Sequence, residues 1–185
     1  MQSAVVLFAL LGVVYAENCL APAALIPFSR NDFLGKWYSM GFHSTNKTDE
    51  ENFKKSHCSV AEYSASGDNG MTTKIQYTVD GKQINREVSY QLEDPAVSKY
   101  KVGAEGHPIS YDISILCSDY KNFAVLYGCS DLADGHKSDF AMVLHRDRSH
   151  NYDNLMAQDD VKSCLQDKMK LSPSDMHKNP QENCE

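Results

Sequence analysis

Apolar and polar residues alternate with a period of two along much of this chain. In Ile109-Ser-Tyr-Asp-Ile-Ser-Ile115, Ile109, Tyr111, Ile113 and Ile115 share one face, and Ser110, Asp112 and Ser114 share the other. Lys74 to Val79 repeats the pattern, with Ile75, Tyr77 and Val79 opposed to Lys74, Gln76 and Thr78. Gln83 to Leu92 places Ile84, Val88, Tyr90 and Leu92 together, with Arg86 as the odd charge among them. This period marks strands with one face toward a core. Lys36–Phe42, Ser59–Ser64, Lys99–Ala104, Phe123–Cys129 and Phe140–Arg146 read as further strands. Between them, Gly67-Asp-Asn-Gly70, Asp80-Gly81 and Asp94-Pro95 carry turn chemistry, and Asp80-Gly81 suits a two-residue type I′ hairpin. Short strands joined mostly by hairpins predict an all-β fold: an eight-stranded antiparallel up-and-down barrel.

One segment has a helical period instead. From Gln158 to Leu171, Val161, Cys164, Leu165 and Met169 form a single apolar stripe. Asp159 and Asp160 favour the positive end of the helix dipole, and Pro173 bars continuation. A lone amphipathic helix after so many strands has to dock on the outside of the barrel.

Residues 1–16 read as a secretory signal peptide. Ala4 to Val14 is apolar, and Val14-Tyr15-Ala16 suits a cleavage site. The stretch is too short to span a bilayer, and no later segment is apolar enough to do so. Residues 17–185 then form one domain, secreted to the extracellular space. The formal charge of −7 and the absence of a basic run argue against a nucleic-acid partner. Six cysteines without a CxxC pair argue against a zinc site, and behind a signal peptide they argue for three disulfides in any of several pairings. No metal is expected. Asn46-Lys47-Thr48 is a glycosylation sequon, suited to a surface loop.

Three stretches resemble the lipocalin family. Asn31-Asp-Phe-Leu-Gly35-Lys-Trp37-Tyr38 is similar to its Gly-x-Trp motif. Ser118-Asp119-Tyr120 is similar to its Thr-Asp-Tyr motif, with Ser for Thr, and Leu144-His145-Arg146 to its closing arginine motif. They occur in the family's order across nearly the whole chain, with the nearest resemblance to the crustacyanin, insect bilin-binding protein and apolipoprotein D branch. The resemblance implies that Trp37 plugs the closed end of the barrel with the Arg146 guanidinium laid across its indole. It also implies disulfides Cys19–Cys129 and Cys58–Cys184, leaving Cys117 and Cys164 either to pair or to stand as two free thiols.

With Trp37 and Arg146 inward, Leu144, Met142 and Phe140 point into the barrel. The family pattern places Ala124, Leu126 and Gly128 inside, and Val125 and Tyr127 outside under the helix. Tyr63, Ile75, Tyr77, Val88, Tyr90, Tyr100, Val102, Tyr111 and Ile113 complete the inner face. With Leu126, Phe140 and Met142 they are the candidate ligand-binding residues. Such a lining suits an elongated or ring-bearing hydrophobe with a few oxygens. The resemblance implies a carrier of a small hydrophobic ligand that needs no cofactor: a carotenoid or biliverdin from the nearest branches, with a fatty acid, a retinoid-like molecule or an odorant fitting equally. Arg86 is either a partner for a ligand carboxylate at the mouth or a wall residue turned out by a bulge. His107 is a surface residue or, on the haem-binding analogy, a ligand. The alternatives are a barrel scaffold acting through loops such as Ser44–Ser56 or scavenging biogenic amines or haem, and an enzyme using Cys117 as a cavity thiol. The expectation is that the chain is not an enzyme, since no Ser-His-Asp order, HExxH or phosphate loop is present. Nothing in the sequence marks an oligomer interface.

Overall fold

A computed structural model describes residues 19–92, 94–103, 110–131 and 137–184. The signal-peptide assignment, His107 and Ile109 lie outside them. Eight strands follow in chain order: β1 (Gly35–Ser44), β2 (Ser56–Ser66), β3 (Gly70–Val79), β4 (Lys82–Gln91), β5 (Lys99–Gly103), β6 (Ser110–Ser118), β7 (Phe123–Asp131) and β8 (Lys137–His145). They form one antiparallel sheet in the order β4-β3-β2-β1-β8-β7-β6-β5. Chain neighbours are sheet neighbours, and β1 pairs with β8. Among the described residues the backbone at the β4–β5 seam pairs only at the Leu92–Tyr100 bridge, just beyond β4, so the barrel is closed there near its lower end. The β3–β4 hairpin turns on Asp80 (φ 49°) and Gly81 (φ 71°), the two positive φ values a type I′ turn needs.

The barrel separates two apolar cores. Phe33, Trp37, Met71, Ile115, Ala124 and Leu144 pack inside. A short helix, α1 (Arg30–Phe33), lies at the closed end, and Val125, Tyr127, Val143 and Leu116 face outward against two C-terminal helices, the first being α3 (Tyr152–Ala157). The long helix spans Asp159–Met169 (α4), slightly inside the expected Gln158–Leu171, and buries the predicted stripe of Val161, Cys164, Leu165 and Met169. It stops before Pro173 because Lys170 takes a left-handed turn (φ 61°), from which Leu171 N–H reaches back to the Leu165 carbonyl.

The Ser44–Ser56 stretch, read as a polar loop, contains a helix at Lys47–Lys54 (α2). It lacks the apolar stripe that would reveal it, but its ends are built for a helix. Asn46 accepts from the amides of Thr48 and Asp49, Asp49 and Glu50 sit in the first turn, and Lys54 in the last. The Phe53 ring stacks on Phe42 at 4.2 Å, holding the helix against the mouth.

The C-terminal tail fills a gap in the wall. β1 pairs with β2 only from Gly35 to Tyr38, after which a short strand, β9 (His177–Lys178), takes over at Gly41 and Phe42. Beyond it, the buried Asn179 and Gln181 side chains bond the backbone of Ser56, Ser59 and Ser39, and Cys58 N–H donates to the Pro180 carbonyl.

Candidate functional site

The closed end is a knot of backbone-directed hydrogen bonds. Trp37 is fully buried, and its Nε1–H donates to the Phe33 carbonyl at 2.8 Å. The Arg146 guanidinium lies 3.7 Å from the indole centroid. It donates to the carbonyls of Asp32, Phe33, Lys36 and Tyr120 at 2.9–3.2 Å. Gly35 (φ 97°) makes room, since a Cβ there would sit 3.2 Å from Arg146 Nη1. Asp119 accepts from the amides of Lys121, Asn122 and Phe123 and from the Asn122 side chain. Burial opposes its ionisation, but these donors outweigh it and hold its carboxyl below the usual range. The Tyr120 hydroxyl accepts from Ser29 N–H, tying down the N-terminal arm. Arg30, which sequence reasoning did not single out, donates to the Gly67, Asp68 and Gly70 carbonyls and fastens the β2–β3 turn to the same end.

Above this floor the barrel encloses a cavity of about 480 Å³. All twelve candidate ligand residues line it. Tyr63, Tyr90 and Tyr100 lie low, with Val88, Ile113 and Leu126 around the waist; Ile75, Tyr77, Val102, Tyr111, Phe140 and Met142 stand toward the mouth. Leu144 joins them, as its parity implies. Ser39, Ser59, Val60, Ala61 and Thr73 also line the space without having been anticipated. Thr73 and Ala61 were legible, because they share parity with Ile75 and Tyr63. Trp37 and Arg146 do not line the cavity; they close it from below.

Most of the lining is apolar. Arg86 is its one charged side chain, and it has no ion pair among the described residues. The β3–β4 register runs without a shift from Gly70–Gln91 to Val79–Lys82, so no bulge turns Arg86 outward. Its partners across the sheet, Ile75 and then Ala61, lie on the inner face. Low in the cavity, the Tyr90 ring stacks on Tyr100 at a centroid distance of 4.0 Å. Its hydroxyl lies 2.9 Å from Thr73 Oγ1. Burial pushes the Tyr90 hydroxyl up to about 12 and those of Tyr63 and Tyr100 well above the usual phenol range, so all three stay protonated.

The cysteines pair as Cys19–Cys129, Cys58–Cys184 and Cys117–Cys164. Alternation from Ile113 and Ile115 would aim Cys117 into the cavity. A register shift between Ile115 and Cys117 turns it instead to the outer face, opposite Val125, where α4 presents Cys164. Cys117 is therefore bonded outside the barrel and is not a cavity thiol. Asn46 uses its Oδ1 as the α2 cap. Among the described residues no cluster of three metal-binding side chains occurs, and no helix is long and apolar enough to cross a membrane.

Comparisons with known proteins agree with this architecture. A family profile described as Triabin matches residues 15–157. Triafestin-2 of Triatoma infestans is 29% identical over 179 residues, covering 88% of this chain and 84% of its own. Apolipoprotein D of Macaca fascicularis is 29% identical over 136 residues, covering 71% and 67%. Lobster apocrustacyanin A1 superposes with a TM-score of 0.61 over 86% of this chain and 89% of its own; at 20% identity it shows a shared fold. The ordered motifs, the stacked Trp37–Arg146 floor and the profile match converge: the chain belongs to the Triabin family of lipocalin-type barrels.

Proposed function

We propose that this protein is a secreted carrier that binds a small hydrophobic ligand in the barrel cavity, catalysing no reaction. The observation that carries the reading is the cavity itself. About 480 Å³ bounded mostly by apolar side chains is left unfilled above an intact floor, within the range of small-molecule sites. Desolvating such walls supplies roughly 25 cal/mol per Å² of apolar area, less the entropic costs of association. An unfilled barrel favours a carrier over a scaffold that acts through its loops alone.

Removal of residues 1–16 and export of 17–185 complete the reading, supported by three disulfides of the kind oxidising compartments sustain. Glycosylation at Asn46 is compatible with its cap, which occupies Oδ1 and leaves Nδ2 for the sugar. The ligand class includes fatty acids, retinoid-like molecules, biliverdin and carotenoids. Arg86 supplies a cation on the mouth side of Val88 for a ligand carboxylate.

The test is mass spectrometry of a solvent extract of protein purified from its source, together with titration by an apolar fluorescent probe. A co-purifying hydrophobe, and probe binding abolished by Val88→Trp with the fold retained, are expected. An empty extract with probe binding indifferent to Val88→Trp overturns the carrier reading.

A further inference from the structure

We infer that the foot of the cavity is a hydrogen-bonding subsite for an uncharged oxygen, so that the ligand enters with a ketone, hydroxyl or ether oxygen leading. This rests on the carrier reading and specifies what the cavity takes. Four hydroxyls form a row there: Thr73 beside Tyr90, Tyr90 beside Tyr100, and Tyr100 beside Tyr63. All four belong to the cavity lining. Each hydroxyl brings one hydrogen and can accept more than one. Thr73 and Tyr90 share a formed hydrogen bond, and an open row of four could have at most three links, using at most three of the four hydrogens. At least one O–H is therefore left over in the row. No backbone carbonyl takes it among the described residues.

A buried donor without a partner is costly, so the row is completed by whatever acceptor enters. Charge selects which acceptor. The nearest inward cation, Arg86, lies four residues along β4 from Tyr90, roughly 13 Å at strand spacing. No cation lines the foot itself. A carboxylate driven down to the tyrosines would be desolvated without a counter-charge, at a cost far above that of a neutral oxygen. The cavity is thus graded from a neutral donor at its foot, through an apolar sleeve, to a cation toward its mouth. An amphiphile with a carboxylate would lie with that group up and its neutral oxygen down.

The test compares tridecane with methyl undecyl ketone, the same carbon chain with and without a carbonyl, each competing against an apolar fluorescent probe. Affinities are measured for the native protein and for a variant carrying Y63F, T73V, Y90F and Y100F, which removes all four hydroxyls at nearly constant volume. The ratio of ketone to alkane affinity is expected to fall at least about fivefold in the variant, and measurable alkane binding shows that the cavity persists. An unchanged ratio overturns this inference and leaves the carrier reading standing. Failure of the native protein to bind either molecule or the probe overturns the carrier reading first. Should the variant not fold, infrared spectroscopy of the ketone on the native protein decides. A carbonyl stretch lowered from its value in hydrocarbon supports the subsite, and an unshifted stretch overturns it.

Discussion

Single residues close the lower end of this barrel, and two of them can be tested in isolation. Gly35 combines a φ of 97° with a guanidinium nitrogen 3.2 Å from where a Cβ would stand. Gly35→Ala should therefore destabilise the fold by about 1–3 kcal/mol, read as a lower denaturant midpoint with an unchanged slope. Asp119 tests the loop above it. Its carboxyl is held below the usual range in the folded state, so the stability it contributes is present above its unfolded value of about 4 and is lost as pH falls through the folded value. Asp119 is largely solvent-exposed, which keeps the contribution small. Asp119→Asn should cost about 1 kcal/mol near neutral pH, and urea titrations should show that deficit shrinking as the pH drops below about 4. A deficit that grows with acidification would show that the carboxylate is not the stabilising form.

At the scale of elements, helix α4 is held by a stripe and a staple. Its period shows the stripe, and Cys117–Cys164 adds the staple across a separation of 47 residues. The chain-entropy treatment assigns a bridge of that span about 4 kcal/mol, with strain and residual structure often reducing it. Replacing both cysteines with serine should lower the denaturation midpoint by roughly 2–4 kcal/mol of stability while leaving ligand affinity unchanged, because neither residue faces the cavity. Loss of affinity would place α4 in the binding function. Helix α2 and strand β9 were hidden from sequence reading for a common reason. Neither has a periodic apolar face, since α2 rests on the mouth through Phe53 and the tail is held by buried Asn179 and Gln181. Amphipathic patterning reports burial of a face, and these elements are held instead by individual polar and aromatic contacts.

Across the whole molecule, the Trp37–Arg146 floor serves stability and the cavity above it serves binding. Arg146→Ala removes the cation from Trp37 and takes a donor from four carbonyls, of which Phe33 keeps the Trp37 Nε1–H. It should cost about 3 kcal/mol in stability, seen as a depressed melting temperature, with probe affinity retained at temperatures where the fold persists. Lysine should not rescue it, because a point charge cannot serve four carbonyls and an indole face together. What the sequence by itself determined is which side chains share a face. Alternation is a local consequence of the pleat, so the inward tyrosines, the outer stripe of α4 and the Trp37–Arg146 pair were legible from spacing and motif. What only the tertiary structure decided is where that alternation breaks and how much room it leaves. The shift at Cys117 depends on the register of β6 against β7, and the matching shift between Ser39 and Gly41 depends on that of β1 against β8. The empty volume, and the meeting of Thr73, Tyr90, Tyr100 and Tyr63, depend on eight strands packed at once. No local pattern encodes a sum over distant side chains, and that sum is what makes the interior a cavity with a polar foot.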